Sequence, residues 1–183
     1  MQFLGTAMKE ILTFITLAVI IVIPIRLFVA QPFVVEGESM HPTFASGDYL
    51  IVDQLTYRFD EPKRGDVVVF KYPNDPRVFY IKRIIGLPGE TVHIDEGKTS
   101  VTKIDGSTLE LDESYVVAED ATYTIDATLG EDEFFVMGDN RPRSSDSRVW
   151  GSLPREDLMG RAFIRLLPPS TSGVLPGAVN EPQ

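Results

Sequence analysis

The chain contains no cysteine. That excludes thiol nucleophiles, zinc–cysteine sites, disulfides and redox pairs. Histidine is almost as scarce. Only His41 and His93 occur, too few for a multi-histidine metal centre. Basic residues are in deficit, with 17 Lys and Arg against 27 Asp and Glu, so the formal net charge is −10. Nucleic-acid binding calls for a basic surface, and this balance argues against it. There is no internal repeat. Long apolar runs are missing too, with one exception near the N-terminus.

That exception is Ile11 to Ala30, ILTFITLAVIIVIPIRLFVA. A membrane span needs about 20 residues at a rise of about 1.5 Å each, which this stretch provides. Pro24 would break a helix in water but is tolerated in lipid, and Arg26 is close enough to the end to reach the headgroups. A cleaved secretory signal has a shorter apolar core, about 7–15 residues, and the Gln31-Pro32 that follows is unsuited to cleavage. The expectation is a short tail over 1–9 and a retained anchor over 10–30. Lys9 and Arg26 flank the run on opposite sides, so the flanking charges do not orient it.

Of the chain's 183 residues, those beyond this run have room for one ordinary domain. From 31 to 168 it alternates short apolar runs with turn signals. Tyr49-Leu-Ile-Val52, Asp66-Val-Val-Val-Phe70, Val78-Phe-Tyr-Ile81, Glu133-Phe-Phe-Val136 and Arg161-Ala-Phe-Ile-Arg165 read as strands. The fold class expected is mostly β: one N-terminal transmembrane helix, then an antiparallel all-β catalytic domain. The polar stretch from about 91 to 132 reads as a hairpin-rich insertion. The Ser/Gly/Pro-rich tail, 169–183, reads as unstructured.

Two residues stand out chemically. Ser39 lies in Gly37-Glu38-Ser39-Met40-His41-Pro42, where the glycine permits close backbone approach. Alone, this segment reads equally well as a turn between anchor and domain. Lys82 lies within Val78-Phe-Tyr-Ile-Lys-Arg-Ile-Ile85, flanked by apolar and aromatic groups. Desolvation lowers a lysine's pKa, as a general base requires, although an edge-strand lysine guarding against aggregation has the same look. Strand alternation puts Val78, Tyr80, Lys82 and Ile84 on one face, with Phe79, Ile81, Arg83 and Ile85 on the other. His41 is an awkward base for Ser39, two residues away with a rigid proline after it. A third cluster, Gly138 to Arg148, reads either as a solvated loop or as a polar network in which Asp146 and Arg148 pair and a serine hydroxyl orients the lysine. About nine residues separate Ala30 from Ser39. At ~3.3–3.6 Å per residue this holds Ser39 within about 30 Å of a membrane face.

Four segments in this order resemble the bacterial type I signal peptidases, with their Ser/Lys dyad, and most closely the single-span Gram-positive type. They are Pro32 to Thr43, Arg64 to Phe70, Tyr80 to Glu90, and Gly138 to Arg148 continuing through Gly151-Ser-Leu-Pro154 and Gly160-Arg161-Ala162. The resemblance implies Ser39 as nucleophile and Lys82 as general base. It implies Ser144 as the serine orienting the lysine, Asp146 and Arg148 as a supporting ion pair, and Arg83 beside the base. Phe33, Val35, Met40, Leu50, Val69, Tyr80 and Ile81 would line shallow pockets for the small residues of an Ala-x-Ala site. Secretory preproteins and membrane lipid are the partners implied, with no cofactor and no metal. The location implied is the plasma membrane, single-pass, with the N-terminus cytoplasmic and the catalytic domain outside. Gly37 departs from the Gram-negative pattern, which has a serine there, and leaves no hydroxyl for an oxyanion. Two rival readings exist. One is a self-cleaving repressor, which carries a DNA-binding domain where this chain has an apolar run. The other is a non-catalytic anchored β-domain, marked by loss of the nucleophile or base, both of which are present here.

Overall fold

The computed structural model describes residues 2–117 and 124–179, except the side chains of 2–7 and 25–28. Helix α1, Gln2–Phe28, leads directly into the first strand. It begins earlier than the sequence suggested and leaves Ala30 to the sheet, so residues 2–9 are helix rather than a separate tail. Its described side chains are exposed on every face, Ile11, Phe14 and Ile20 among them. Among the described residues no helix is long and apolar enough to cross a membrane. The described side chains, Met8 to Pro24, cover less than the about 20 residues that a span needs. The Arg26 side chain lies outside the described residues.

Among the described residues twelve strands follow: β1 Ala30–Val34, β2 Tyr49–Asp53, β3 Val67–Tyr72, β4 Asp75–Gly86, β5 Thr91–Asp95, β6 Lys98–Thr102, β7 Thr108–Glu110, β8 Ile125–Thr128, β9 Glu133–Met137, β10 Leu153–Pro154, β11 Leu158–Leu167 and β12 Gly173–Val174. A single-turn helix, α2 Ser147–Trp150, precedes β10. Every pairing is antiparallel. The main sheet runs β1-β2-β11-β3-β4-β9-β10, with β12 added on β11. A second sheet runs β7-β6-β5-β8 and occupies the polar stretch expected to be an insertion. Residues 118–123 of that stretch lie outside the described residues.

Burial on both faces explains why β3 and β9 are nearly continuous apolar runs, as is Ile84-Ile85 near the end of β4. Ile84, Phe134 and Val136 face a core containing Val68, Phe70 and Leu153. Their neighbours Ile85, Phe135 and Met137 face the opposite way, onto Val92, Ile94 and Val101 of the second sheet. A strand buried on both faces has no reason to alternate with polar residues. A third core, Val35, Met40, Phe44, Leu50, Val67 and Ala162, lies under the β1–β2 connection.

The tail after Pro168 departs from the expectation of disorder. Pro169–Thr171 forms a 3₁₀ turn, Gly173 and Val174 pair with Arg165 and Ile164, and Leu175 N–H donates to Phe163 O at 2.6 Å. Composition misleads here because the order comes from main-chain pairing, to which Ser, Gly and Pro side chains contribute little. Residues 180–183 lie outside the described residues.

A buried ion pair fastens the two sheets. Arg64 donates to both carboxylate oxygens of Glu90, at 2.7 and 2.9 Å, and to Ile85 O at 2.6 Å. Glu90 also accepts from Leu87 N–H, and its own carbonyl accepts from Leu129 N–H. Removing one partner leaves a buried charge uncompensated. Glu90→Ala is therefore expected to cost about 3–5 kcal/mol in urea unfolding. A loss below about 1 kcal/mol, the range of an exposed pair, would show that the pair does not hold the sheets together.

Candidate active site

The β1–β2 connection carries Ser39. Val35 N–H donates to Asp48 O and Gly47 N–H to Val35 O, closing the loop at its base, while Met40 and Phe44 bury themselves beneath it. Gly37 has φ +88°, a conformation few other residues adopt, and this turns the chain so that Ser39 points back over β4.

Lys82 comes from the middle of β4 and is 3% exposed. Its Nζ lies 2.8 Å from Ser39 Oγ and 2.9 Å from Ile81 O, and 5.1 Å from the Tyr80 ring centre. Burial pulls the Lys82 pKa down from 10.5 to about 8, against the opposing pull of the Asp146 and Asp139 carboxylates. A hydroxyl and an amine that is neutral above about pH 8, in hydrogen-bond contact, meet the geometric and electrostatic requirements for base-assisted attack.

Arg83, next along the strand, points to the other side. Its Nε and Nη2 donate to Asp139 at 2.9 and 2.6 Å, and neither side chain has solvent access. Its Nη1 donates to Gly65 O and Gly177 O, and its guanidinium lies 4.0 Å from the Tyr115 ring centre. Asp139 also accepts from Thr43 Oγ1 at 2.5 Å. Asp146 and Arg148 pair at 2.8 and 2.9 Å. Asp146 further accepts from Gly138 N–H, and Arg148 donates to Arg141 O. Arg141 in turn pairs with Glu113.

Ser144 is placed beside this group, but without the hydrogen bond to Lys82 that the sequence suggested. Its buried hydroxyl has no partner among the described residues. Gly138 explains the crowding: a Cβ there would sit 2.3 Å from Ser144 Oγ and 2.4 Å from Ser39 O.

A cleft of about 310 Å³ opens at Ser39 and Lys82. Phe33, Val35, Leu50, Val69, Tyr80 and Ile81 line it. Met40 does not; at 1% exposure it belongs to the core beneath the Ser39 loop. An apolar residue next to a nucleophile looks the same in sequence whether it faces the ligand or the core. Phe79, Arg143 and Ser145 line the cleft and were missed. Phe79 was overlooked because alternation assigned it to the far face from Lys82. The cleft instead runs along the edge of β4, so consecutive residues reach it. β9 pairs with β4 only at Arg83, Ile84 and Gly86, which leaves the edge before Arg83 open. Phe33 of β1 meets Phe79 edge-on at 5.4 Å across the gap. His93 is occupied elsewhere, paired with Asp126 across the second sheet.

The signal peptidase family, peptidase S26, matches residues 8–167. A probable signal peptidase I-2 of Synechocystis sp. strain PCC 6803 is 42% identical over 164 residues, covering 86% of this chain and 72% of its own. A second protein of that strain, probable signal peptidase I-1, is 38% identical over 175 residues, covering 91% and 86%. A solved signal peptidase I from Enterococcus faecalis V583 aligns with 56% of this chain and 97% of its own at 30% identity and TM-score 0.47.

The Lys82 environment predicts the pH dependence of Ser39 reactivity. Below about pH 8 Lys82 holds a proton and cannot accept another, so the rate of Ser39 labelling by a serine-directed phosphonate should fall about tenfold per pH unit, levelling off above that value. A profile flat from pH 6 to 9, or one unchanged in Lys82→Met, would dissociate the lysine from the serine.

Proposed function

The chain belongs to the peptidase S26 signal peptidases, and on that premise we propose that Ser39 and Lys82 are the nucleophile and general base with which it works. It is a serine endopeptidase that removes signal peptides from exported preproteins. The observation that carries the residue assignment is the 2.8 Å contact between Ser39 Oγ and an amine whose pKa burial has lowered to about 8.

Neutral Lys82 takes the Oγ proton as Ser39 Oγ bonds to the scissile carbonyl carbon. The carbonyl oxygen becomes an oxyanion, stabilised by the Ser39 main-chain N–H. When the tetrahedral intermediate collapses, the C–N bond breaks. The Lys82 ammonium gives its proton to the leaving amine, which becomes the N-terminus of the mature protein. The signal peptide remains as an ester on Ser39. Water then loses a proton to Lys82 and attacks the ester, and Oγ regains the proton as it leaves. Arg83 and the Asp146–Arg148 pair act by holding this geometry, and Ser144 by offering its hydroxyl beside it.

The substrate binds extended between the open edges of β1 and β4, its main chain adding to the strands. The apolar walls at Phe33, Val35, Leu50, Val69 and Ile81 leave room for small side chains before the cut, which fits Ala-x-Ala. The membrane anchor is a further part of this reading. The support is α1 itself, whose side chains from Ile11 to Pro24 are apolar apart from Thr13 and Thr16 and nearly all exposed. One residue, Val29, separates it from β1, and Val29 O accepts from Gln54 N–H at 3.0 Å, tying the helix end to the sheet. The assigned location is the plasma membrane, with the N-terminus cytoplasmic and the β domain outside.

Cleavage of a preprotein with an Ala-x-Ala site, in lipid vesicles, tests both parts. Ser39→Ala and Lys82→Ala are expected to lose at least about 10²–10⁴-fold in rate with unfolding curves unchanged. Retained cleavage in either variant would overturn the assignment. Deleting residues 1–29 should move the protein from the vesicle pellet to the supernatant; if the truncated chain still sediments with lipid, α1 is not the anchor.

A further inference from the structure

We propose that Asn140 is a positioning residue that aims the Ser39 N–H at the reacting carbonyl oxygen; this rests on the Ser39/Lys82 reading above. The argument starts from the Glu38–Ser39 peptide unit. A trans peptide is planar, and its C=O and N–H point in opposite directions. Holding the carbonyl therefore holds the amide. Asn140 Nδ2 donates to Glu38 O at 3.0 Å, and His41 N–H donates to the same oxygen at 3.1 Å. With Glu38 O drawn toward the Asn140 loop, Ser39 N–H faces away from it, into the cleft that Gly37, Glu38 and Ser39 line. No described residue accepts from this N–H, so it is available to a substrate.

The next peptide unit is gripped by the same residue. Asn140 N–H donates to Ser39 O at 3.0 Å. Asn140 therefore holds the carbonyls on both sides of Ser39, one through its main chain and one through its side chain. Its own place is secured from behind, because its neighbour Asp139 is locked by Arg83. The loop reinforces the grip once more where Arg143 pairs with the Glu38 carboxylate. Glu38 and Ser39 would otherwise be free to rotate about a glycine, Gly37, which also offers no side-chain donor of its own. The direction of the Ser39 N–H is thus set by an amide 102 positions after Glu38, whose carbonyl it holds.

The side-chain bond can be removed without disturbing the main-chain one. Asn140→Ala deletes the donor. Asn140→Asp keeps the shape but sets a carboxylate against Glu38 O. Both are measured in the full chain in lipid or detergent, beside Ser39→Ala and Lys82→Ala controls. Losing an oxyanion donor outright costs about 10²–10³-fold in kcat, and misaiming one is expected to cost about 10–100-fold, with KM unchanged. Affinity for a peptide aldehyde ending in Ala-x-Ala, which forms a tetrahedral adduct with Ser39, should weaken by the same factor. Affinity for the matching peptide alcohol, which forms none, should hold, as should the pH midpoint set by Lys82. Wild-type kcat in Asn140→Asp would overturn the proposal. So would equal weakening of aldehyde and alcohol, or a loss confined to thermal stability. Wild-type cleavage in the Ser39→Ala control would instead overturn the dyad reading beneath it.

Discussion

Arg83 and Asp139 meet without solvent access on either side, and nearly every segment of the site touches one of them. Taking two such charges out of water costs several kcal/mol per ion, and the cost is offset only when the remaining donors and acceptors are satisfied as well. Here most of them are. Gly65 O and Gly177 O accept from Nη1, Tyr115 lies along the guanidinium face, and Thr43 donates to the carboxylate. The pair and its partners come from the Ser39 loop, from the turn before β3, from β4, from the stretch carrying Tyr115, from the loop after β9 and from the C-terminal segment. One buried pair thus joins six stretches of chain, and the Ser39 loop is among them.

The same pair decides the charge state of its neighbour. Lys82 feels two carboxylates, Asp139 and Asp146, both favouring its protonated form, and a desolvation effect that opposes them. Each carboxylate is already bonded to an arginine, Arg83 or Arg148. Seen from Lys82 the surroundings are two nearly neutral dipolar pairs rather than two anions. Desolvation then prevails and the pKa falls to about 8. Neither arginine touches Ser39; each holds in place a carboxylate that lies near the lysine. Strand alternation makes this possible: it sends Lys82 to the cleft and Arg83 into the packing behind it, from adjacent positions on β4.

Much of this was legible in the chain, because the information was local. The runs around Tyr49, Val67, Phe134 and Ala162 carry strand composition, and each lies in a strand. The pairing of Ser39 with Lys82 was suggested by the context of each residue, a glycine before one and apolar residues around the other. What could not be read was longer-ranged. Asn140 acts through its main chain and its side-chain amide on a loop far back in sequence, and nothing in Gly138-Asp139-Asn140 announces that. Phe79 was misplaced because a two-residue period distinguishes faces, whereas this site is built along an edge; Met40, placed by resemblance, belongs to the core beneath the Ser39 loop. The C-terminal segment was hidden because its contacts are made by carbonyls and amides that every residue carries.

That edge is the constraint that links fold to substrate. An unpaired strand edge invites association, and proteins usually cover it or charge it. Here two edges are left open opposite each other, β1 on one side and β4 before Arg83 on the other, with Phe33 and Phe79 touching across the gap. A segment lying between them can pair through its main chain whatever its side chains are, so selection falls to the few positions that must enter the walls. Those walls are apolar, with Phe33, Val35, Leu50, Val69 and Ile81 among them. On the reading proposed above, preproteins that share little sequence would then be cut alike, provided they are extended. The arrangement also explains why the nucleophile loop needs so much external fixing. If a substrate pairs with β1 and β4 as proposed, its placement is useful only if Ser39 and its N–H, on a loop that turns at a glycine, are held equally well. The clamp formed by Arg83, Asp139 and Asn140 supplies on the loop side the rigidity that the sheet supplies on the other.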